Sequence, residues 1–449
     1  MSNRPPVTFA LAVLGCRANQ EEVEALRSHL LAGGAREVPY PGPADMVVVN
    51  TCAVTASAQA QSRQAVRRAG RCAPGLLVVT GCGAQLAPHE FAALPGVGWV
   101  VGNGVKGSIL DELYARLRGD GREESTARRE PVSVSWTSDP TVSGFLRQAG
   151  PVPHRRARAL LKIQDGCDLG CAYCIVPRVR GRPVSRDPEE VLAEAQRLVE
   201  AGWREIVLTG IHLGLYGQEA HPQAGADPLV ALLQRLERVP GLGRIRLSSL
   251  EPMAITDSLL DCLASTDRIC SHLHVPLQSG DDEVLRRMAR PYDAATFRAR
   301  LERIRHALPR AGLGVDVLAG FPGESERAFA ATVGLIEELP VTYLHAFAFS
   351  PRPGTRAADL VGQVEAPVRR ERVRRLRALD PRLRRRFHRR LKGEPAVVLV
   401  ERARDGHFEG LTGEFVRVRG RSERAAVGEL MEVVLGEPCG TTVVEAHPV

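Results

Sequence analysis

The stretch Leu160–Pro177 reads LLKIQDGCDLGCAYCIVP, and the rest of the chain is best read outward from it. Leu160–Gln164 is an apolar run of strand length that stops at a glycine-bearing turn. Cys167, Cys171 and Cys174 follow in C-x3-C-x2-C spacing, close enough for one loop to wrap one metal centre. Thiolates are the usual ligands of iron–sulfur clusters. Three of them leave one iron without a protein ligand, free to bind and activate a small molecule. Structural zinc normally takes four ligands in C-x2-C pairs, and no fourth Cys or His lies nearby, His154 being too far upstream. A disulfide is a poor account of an odd trio in a chain with no export signal.

Downstream, strand and helix patterns alternate six times. Leu160–Gln164, Ile206–Gly210, Arg244–Ser249, His272–Gln278, Val315–Phe321 and Tyr343–Phe349 read as strands. Helical periodicity fills Pro188–Ala201, Pro228–Arg238, Asp257–Ala264, Ala294–Leu308 and Ser325–Leu339 between them. A complete eight-fold barrel needs about 250 residues, so this shorter region predicts a partial parallel barrel.

Upstream, Thr8–Gly15, Met46–Asn50 and Leu76–Thr80 read as strands, separated by helices over Glu21–Ala32 and Ala56–Arg71, the pattern of a parallel sheet covered by helices. Cys16, Cys52 and Cys82 occur as LGC, NTC and TGC, each just past the end of one of these strands. The carboxyl ends of parallel strands converge on one crevice, so the three predict a second three-thiolate site. Buried structural cysteine is the plainer alternative. Val7–Cys16 mimics a short leader with a lipidation-type cysteine. Only Arg4 precedes it, Pro5-Pro6 interrupts it and Leu14 is large for such a site, so a buried first strand fits better. Cys72, Cys262, Cys270 and Cys439 read as structural. From about Gly119 to Arg158 the chain is polar and aperiodic, and reads as a linker.

The 449 residues carry a net charge of +8 and ten cysteines, and no apolar run approaches the roughly 18 residues of a membrane span. The charge is concentrated. Val368–Lys392 holds twelve Arg and one Lys against Glu371 and Asp380. Val373, Leu376, Leu379, Leu383, Phe387 and Leu391 fall at helical steps there, predicting one packed stripe with arginines radiating from it. Asp380-Pro381 reads as a cap and first-turn proline, so two helices or a kink are expected. A nearly single-sign run repels itself and suits a polyanionic partner. After about Glu394, the short runs Ala396–Val400, Gly413–Val418, Glu429–Leu435 and Thr441–Glu445 predict a small closed β-barrel.

The cysteine loop with Tyr173 before its last cysteine, on a six-fold β/α region, resembles the radical S-adenosylmethionine enzymes. The LGC–NTC–TGC trio ahead of it and the β-rich tail behind are similar to the methylthiotransferases among them. NTCAVT, AQSRQAVRRA, KIQDGC, GIHLGLYG, RLSSLEP and SPRPGT are most similar to the branch acting on N6-threonylcarbamoyladenosine in tRNA. The resemblance implies an α/β chain: a flavodoxin-like methylthiotransferase domain over residues 6–118, a linker over 119–152, a radical core over 153–385 and a TRAM domain over 386–449. It implies two 4Fe–4S clusters, on Cys167/Cys171/Cys174 and on Cys16/Cys52/Cys82, with S-adenosylmethionine bound at the first. A 5′-deoxyadenosyl radical would take hydrogen from C2 of the modified adenine beside the anticodon, and a methylthio group would replace it.

The same resemblance makes Tyr173, Glu251, Gln278, Ser279 and Gly280 candidate cofactor contacts, with Gly320–Glu324 a weaker candidate. Asn19 and Asn50 are placed to orient sulfur ligands. It implies tRNA as partner, an external electron donor and sulfur source, no membrane and a cytoplasmic setting. Arg384, Arg385, Arg386, Arg389, Arg390 and Arg417 are the candidate RNA contacts, with Arg419 and Arg421 on the tail and Arg178, Arg180, Arg182 and Arg186 after the loop. The rivals are isopentenyladenosine in tRNA, a ribosomal-protein aspartate, and a non-catalytic RNA-binding iron–sulfur protein.

Overall fold

The computed structural model describes residues 6–118, 132–142, 144–150, 156–219, 227–440 and 442–449. It divides into two compact units. The first comprises 1–152 with Lys162–Gly170 and Cys174–Arg186; the second holds the remainder.

The first unit is built on a six-stranded parallel sheet in the order Arg36–Glu37, Thr8–Val13, Met46–Thr51, Leu76–Gly81, Trp99–Val101, Ser133–Ser135. Met46–Thr51 is buried along its whole length, as its unbroken apolar run requires of a central strand covered on both faces. Phe9, Met46, Val48 and Val78 pack on one side; Ala10, Val47, Val49 and Val79 pack on the other. The helix Ala56–Arg71 starts where Thr55 accepts the amide of Ala58 at 3.0 Å, a side-chain cap worth about 1 kcal/mol. The segment expected to be linker supplies the edge strand Ser133–Ser135, paired with Trp99–Val101. Three half-exposed residues are too few to show a period; positions 119–131 lie outside the described residues.

In the second unit six parallel strands follow in chain order: Ala159–Lys162, Glu205–Thr209, Arg244–Leu247, His272–His274, Gly312–Ala319 and Tyr343–Ala348. They form two three-stranded sheets, joined by the parallel bridges Ile245↔Ile269 and Ser249↔His274. The partial barrel is thus present. Its fourth strand is shorter than expected, although Val275 and Leu277 beyond it still donate to the carbonyls of Gly314 and Asp316.

Helix Ala366–Arg390 covers the open edge of this sheet. Asp380 accepts the amide of Leu344 at 2.9 Å and pairs with Arg384 at 2.7 Å. Of the two outcomes expected at Asp380-Pro381, two separate helices do not form. Asp380 caps the sheet edge, and the helix runs through Pro381 with Leu376, Leu379, Leu383 and Phe387 all buried. An internal proline costs roughly 3 kcal/mol, which two or more such burials at about 1.5–3 kcal/mol each can offset.

The tail closes as a five-stranded barrel in the order Pro395–Arg404, His407–Thr412, Arg417–Arg421, Val443–Pro448, Leu430–Cys439. It starts after the helix ends at Arg390, a few residues beyond the expected boundary at 386, and includes one strand, His407–Thr412, absent from the sequence reading. Arg244 and Arg246 bind it to the core, donating to the carbonyls of Val397, Leu411, Thr412 and Gly413. Both guanidinium groups also hold Glu205. Burial alone would raise that carboxyl, but Arg246, Arg244 and Arg158 bring it down to about 2.

Candidate functional site

The parallel sheet of the first unit brings the LGC–NTC–TGC cysteines to one edge. Cys16 precedes helix Arg17–Ala32, Cys52 follows strand Met46–Thr51, and Cys82 opens helix Cys82–Leu86. Gly15, at φ +103°, lies so close that a side chain there would meet Cys52 Sγ at 3.0 Å. Each thiol has a donor. The amides of Asn19 and Val54 point to Cys16 and Cys52, and Asn103 Nδ2 lies 3.8 Å from Cys82 Sγ. Burial pushes the Cys52 thiol up to about 11, and the nearby sulfurs of Cys82 and Cys16 add to the rise. Three sulfurs gathered at one edge, each with an N–H donor, suit a cationic metal cluster between them. Asn19 and Asn50 act one step back: Asn19 Nδ2 donates to the carbonyls of Leu14 and Thr51, and Asn50 Nδ2 to Glu22.

Behind the trio lies a buried charge cluster. Arg180, 1% exposed, donates to Glu22 Oε1 at 2.9 Å, to Asp165 Oδ2 at 2.7 Å and to Asn19. Lys106 and Lys162 reach the two oxygens of Glu22 at 2.6 and 2.7 Å, and Lys162 also meets Asp165 at 3.0 Å. Burial opposes the charge on Glu22, yet Arg180, Lys106 and Lys162 hold its carboxyl well below the usual range. Arg180 also senses Cys82 and Cys16 directly. The sequence reading put Arg180 and Arg186 on an RNA-facing surface; instead both are almost wholly buried, at 1% and 2% exposure. A sequence shows arginines in a row but not which of them the fold encloses with carboxylates from 15 and 158 positions away.

The C-x3-C-x2-C segment is one continuous loop between strand Gln164–Asp165 and helix Val176–Arg180. Gly166 turns it at φ +73°, where a Cβ would sit 1.9 Å from the carbonyl oxygen of Arg182, and Cys167 donates its amide to Gly181 at 3.1 Å. In the second unit, Arg290 Nη1 lies 3.1 Å from Cys171 Sγ, while Nη2 is bonded to Glu251. Tyr292 closes this group: its hydroxyl receives Arg290 Nε at 3.1 Å and donates to the carbonyl of Pro276. Tyr173 packs edge-on against Phe321, with ring centres 6.5 Å apart. Of the expected cofactor contacts, Glu251 thus shares a guanidinium with Cys171. Gln278 sits on the sheet at φ +66°, tied to Asp316 and Leu318 by backbone bonds. Ser279 and Gly280 are instead fixed to Thr332, by a hydroxyl pair at 3.3 Å and an amide bond of 2.9 Å. Glu324 closes its own turn on the amides of Gly320 and Phe321. Arg290 and Asn103 were not singled out in the sequence, since nothing in ARPY or GNG marks a sulfur contact.

The arginine-rich helix sorts itself by partner. Arg384 pairs with Asp380 and covers the Tyr343 ring, and Arg386 donates to the carbonyls of Glu337, Leu339 and Val341. Arg390 reaches the carbonyl of Pro309, and Arg417 reaches Glu401. Arg385 and Arg389 have no protein partner among the described residues. With Arg370 and Arg377 they fall at steps of seven, eight and four, on one side of the helix.

A partial parallel barrel with a three-cysteine loop after its first strand defines a radical-type iron–sulfur enzyme using S-adenosylmethionine. Residues 161–336 match the Radical SAM superfamily, and residues 8–102 match the uncharacterized protein family UPF0004. The threonylcarbamoyladenosine tRNA methylthiotransferase MtaB of Bacillus subtilis is 39% identical over 434 residues, covering 95% of this chain and 93% of that protein. The tRNA-2-methylthio-N(6)-dimethylallyladenosine synthase of Syntrophotalea carbinolica is 34% identical, covering 88% of each. The radical S-adenosylmethionine methyltransferase TsrM of Kitasatospora setae shares the fold with a TM-score of 0.57 at 17% identity, over 79% of this chain and 77% of that one. The chain belongs to the radical S-adenosylmethionine tRNA methylthiotransferases, a transferase family whose cofactors are S-adenosylmethionine and 4Fe–4S clusters. No helix among the described residues is long and apolar enough to cross a membrane.

Proposed function

We propose that the chain methylthiolates C2 of N6-threonylcarbamoyladenosine next to the anticodon of tRNA, in the cytoplasm. The observation that carries this reading is the 39% identity along nearly the whole length of a threonylcarbamoyladenosine enzyme, with both cysteine trios in place. Cys167, Cys171 and Cys174 would hold one cluster, and Cys16, Cys52 and Cys82 the other. When bound, S-adenosylmethionine supplies both the one-electron cleavage chemistry and the methyl group, and the protein orients and shields it. Arg290 balances charge at Cys171 and fixes Glu251, which is thereby available to a cofactor amino group. Tyr173 would pack near the adenosine. The asparagine and amide donors at the other trio fix its sulfurs. Arg370, Arg377, Arg385 and Arg389 are the helix cations best placed for phosphates, and an external reductant and sulfur source complete the system.

The deciding experiment is nucleoside mass spectrometry of tRNA from a strain lacking the protein. Loss of 2-methylthio-N6-threonylcarbamoyladenosine with accumulation of its precursor is the expected result. Loss of the isopentenyl product instead would reassign the substrate.

A further inference from the structure

The inner face of the second unit's sheet carries a polar group that no step above uses. Along strand Gly312–Ala319, Leu313, Val315 and Val317 are fully buried on one face, while Gly312, Gly314, Asp316 and Leu318 alternate on the other. Two glycines let bulky groups lie across that face. A Cβ on Gly312 would sit 2.0 Å from the carbonyl oxygen of Glu414, and one on Gly314 would sit 2.1 Å from the Tyr343 ring. Phe415 of the tail barrel stacks on His272 and Tyr343, with ring centres 4.4 and 5.3 Å away, so this end of the face is closed. Two residues further, about 6.8 Å along a strand, come Asp316, His274 and His345. Two residues beyond that, Leu318 packs against the cluster of Ala172 and Phe321 that Tyr173 also joins. The polar group therefore lies one strand step below the cysteine loop.

Its internal order is directional. Asp316 Oδ1 meets His274 Nε2 at 2.9 Å and His345 Nδ1 at 3.3 Å, and Tyr343 Oη meets His274 Nδ1 at 3.1 Å. His274 is thus held on both ring nitrogens. His345 is held on one; its side chain is 50% exposed, beside an equally open Phe347 at 48%, and its Nε2 has no protein partner among the described residues. An imidazole that donates its Nδ1–H to a carboxylate presents Nε2 as an acceptor.

Resting on the substrate reading above, we propose that His345, positioned by Asp316 and His274, accepts at Nε2 a hydrogen bond from the hydroxyl of the amino-acid substituent on the modified adenine. The chemistry discriminates. A threonylcarbamoyl group carries a hydroxyl that can donate to this Nε2, whereas an isopentenyl group has no donor to offer it.

The test is the affinity of the full-length, cluster-loaded protein for anticodon stem-loops bearing threonylcarbamoyladenosine, isopentenyladenosine or plain adenosine at the target position. The intact protein should prefer the threonylcarbamoyl stem-loop over the plain one by about fivefold, the effect of one hydrogen bond. His345→Leu should bring that ratio close to one, His345→Gln should restore part of it, and Asp316→Asn should lower it by roughly threefold, with iron content unchanged in all three. A ratio unaltered in His345→Leu and in Asp316→Asn would overturn the assignment. So would a preference that appears only with added Zn2+, since the same three side chains can ligate a metal. A wild-type protein that favours the isopentenyl stem-loop would overturn the substrate reading itself, a result separable from failure of the variants alone.

Discussion

The two cysteine trios are assembled by opposite routes. Cys167, Cys171 and Cys174 occupy eight consecutive residues of one loop, and all three are partly exposed. Cys16, Cys52 and Cys82 are spread over 67 residues, and a parallel sheet gathers them with two of the three buried. A contiguous loop can wrap a cluster before the domain has folded around it. A distributed trio exists only once strands Thr8–Val13, Met46–Thr51 and Leu76–Gly81 have paired. The first is a motif and the second is a consequence of topology. Each also has its own arginine, Arg290 beside Cys171 and Arg180 beside Cys16 and Cys82, but Arg180 is locked among Glu22, Asp165 and Asn19 whereas Arg290 has one carboxylate, Glu251.

Cysteine replacement gives the largest expected effect and breaks the comparison most directly. Cys171→Ala should abolish S-adenosylmethionine cleavage. Cys52→Ala should leave cleavage measurable while halving the iron content from about eight to about four per chain, as two cysteine-held clusters require. Cleavage retained in the first variant, or full iron in the second, would mean that the trios are not two separate sites.

The same contrast governs what could be read from the sequence. The loop trio was legible because its spacing is local. The distributed trio was legible because each cysteine ends a strand whose apolar run is itself visible: NTC follows MVVV, and TGC follows LLVV. The residues that serve these cysteines were not. Arg180, Arg290 and Asn103 act across 158, 119 and 21 positions on Glu22, Cys171 and Cys82. No periodicity encodes such pairings, and Arg180 looked like one more cation in a basic stretch. The expectation of two helices at Pro381 failed for a related reason: Asp380, read as a cap, is used by the distant amide of Leu344.

Substitution of the two arginines sharpens the comparison at the next level down. Arg180→Met should destabilise the first unit by about 3–5 kcal/mol, because Glu22 and Asp165 stay buried while losing a partner. Urea denaturation followed by an N-terminal-unit probe reads this; a cost below about 1 kcal/mol would mean that water satisfies the cluster. Arg290→Met should cost far less stability, since Glu251 is partly exposed. Its effect should appear as S-adenosylmethionine affinity weakened about tenfold, one lost charge-assisted bond. Equal stability losses in the two variants would contradict the distinction between a locked and an open arginine.

The smallest expected effect comes from Asn103, and it separates positioning of a sulfur from packing around it. Asn103 Nδ2 makes a 2.6 Å bond to the carbonyl of Val179 and a longer 3.8 Å approach to Cys82 Sγ. Asn103→Ala removes both, and the carbonyl bond should account for most of a stability loss of about 0.5–1.5 kcal/mol. The sulfur contact has a different readout. A donor on a cluster thiolate favours the reduced, more negative state, so its loss should make that cluster harder to reduce. An energy of the same size corresponds to a midpoint about 20–60 mV more negative for a one-electron couple. Only the cluster on Cys16, Cys52 and Cys82 should move in an EPR-monitored redox titration, because Asn103 makes no contact with the loop cysteines among the described residues. A stability loss with both midpoints unchanged would leave Asn103 as a packing residue. A shift of the loop cluster alone would assign the wrong trio to the sheet.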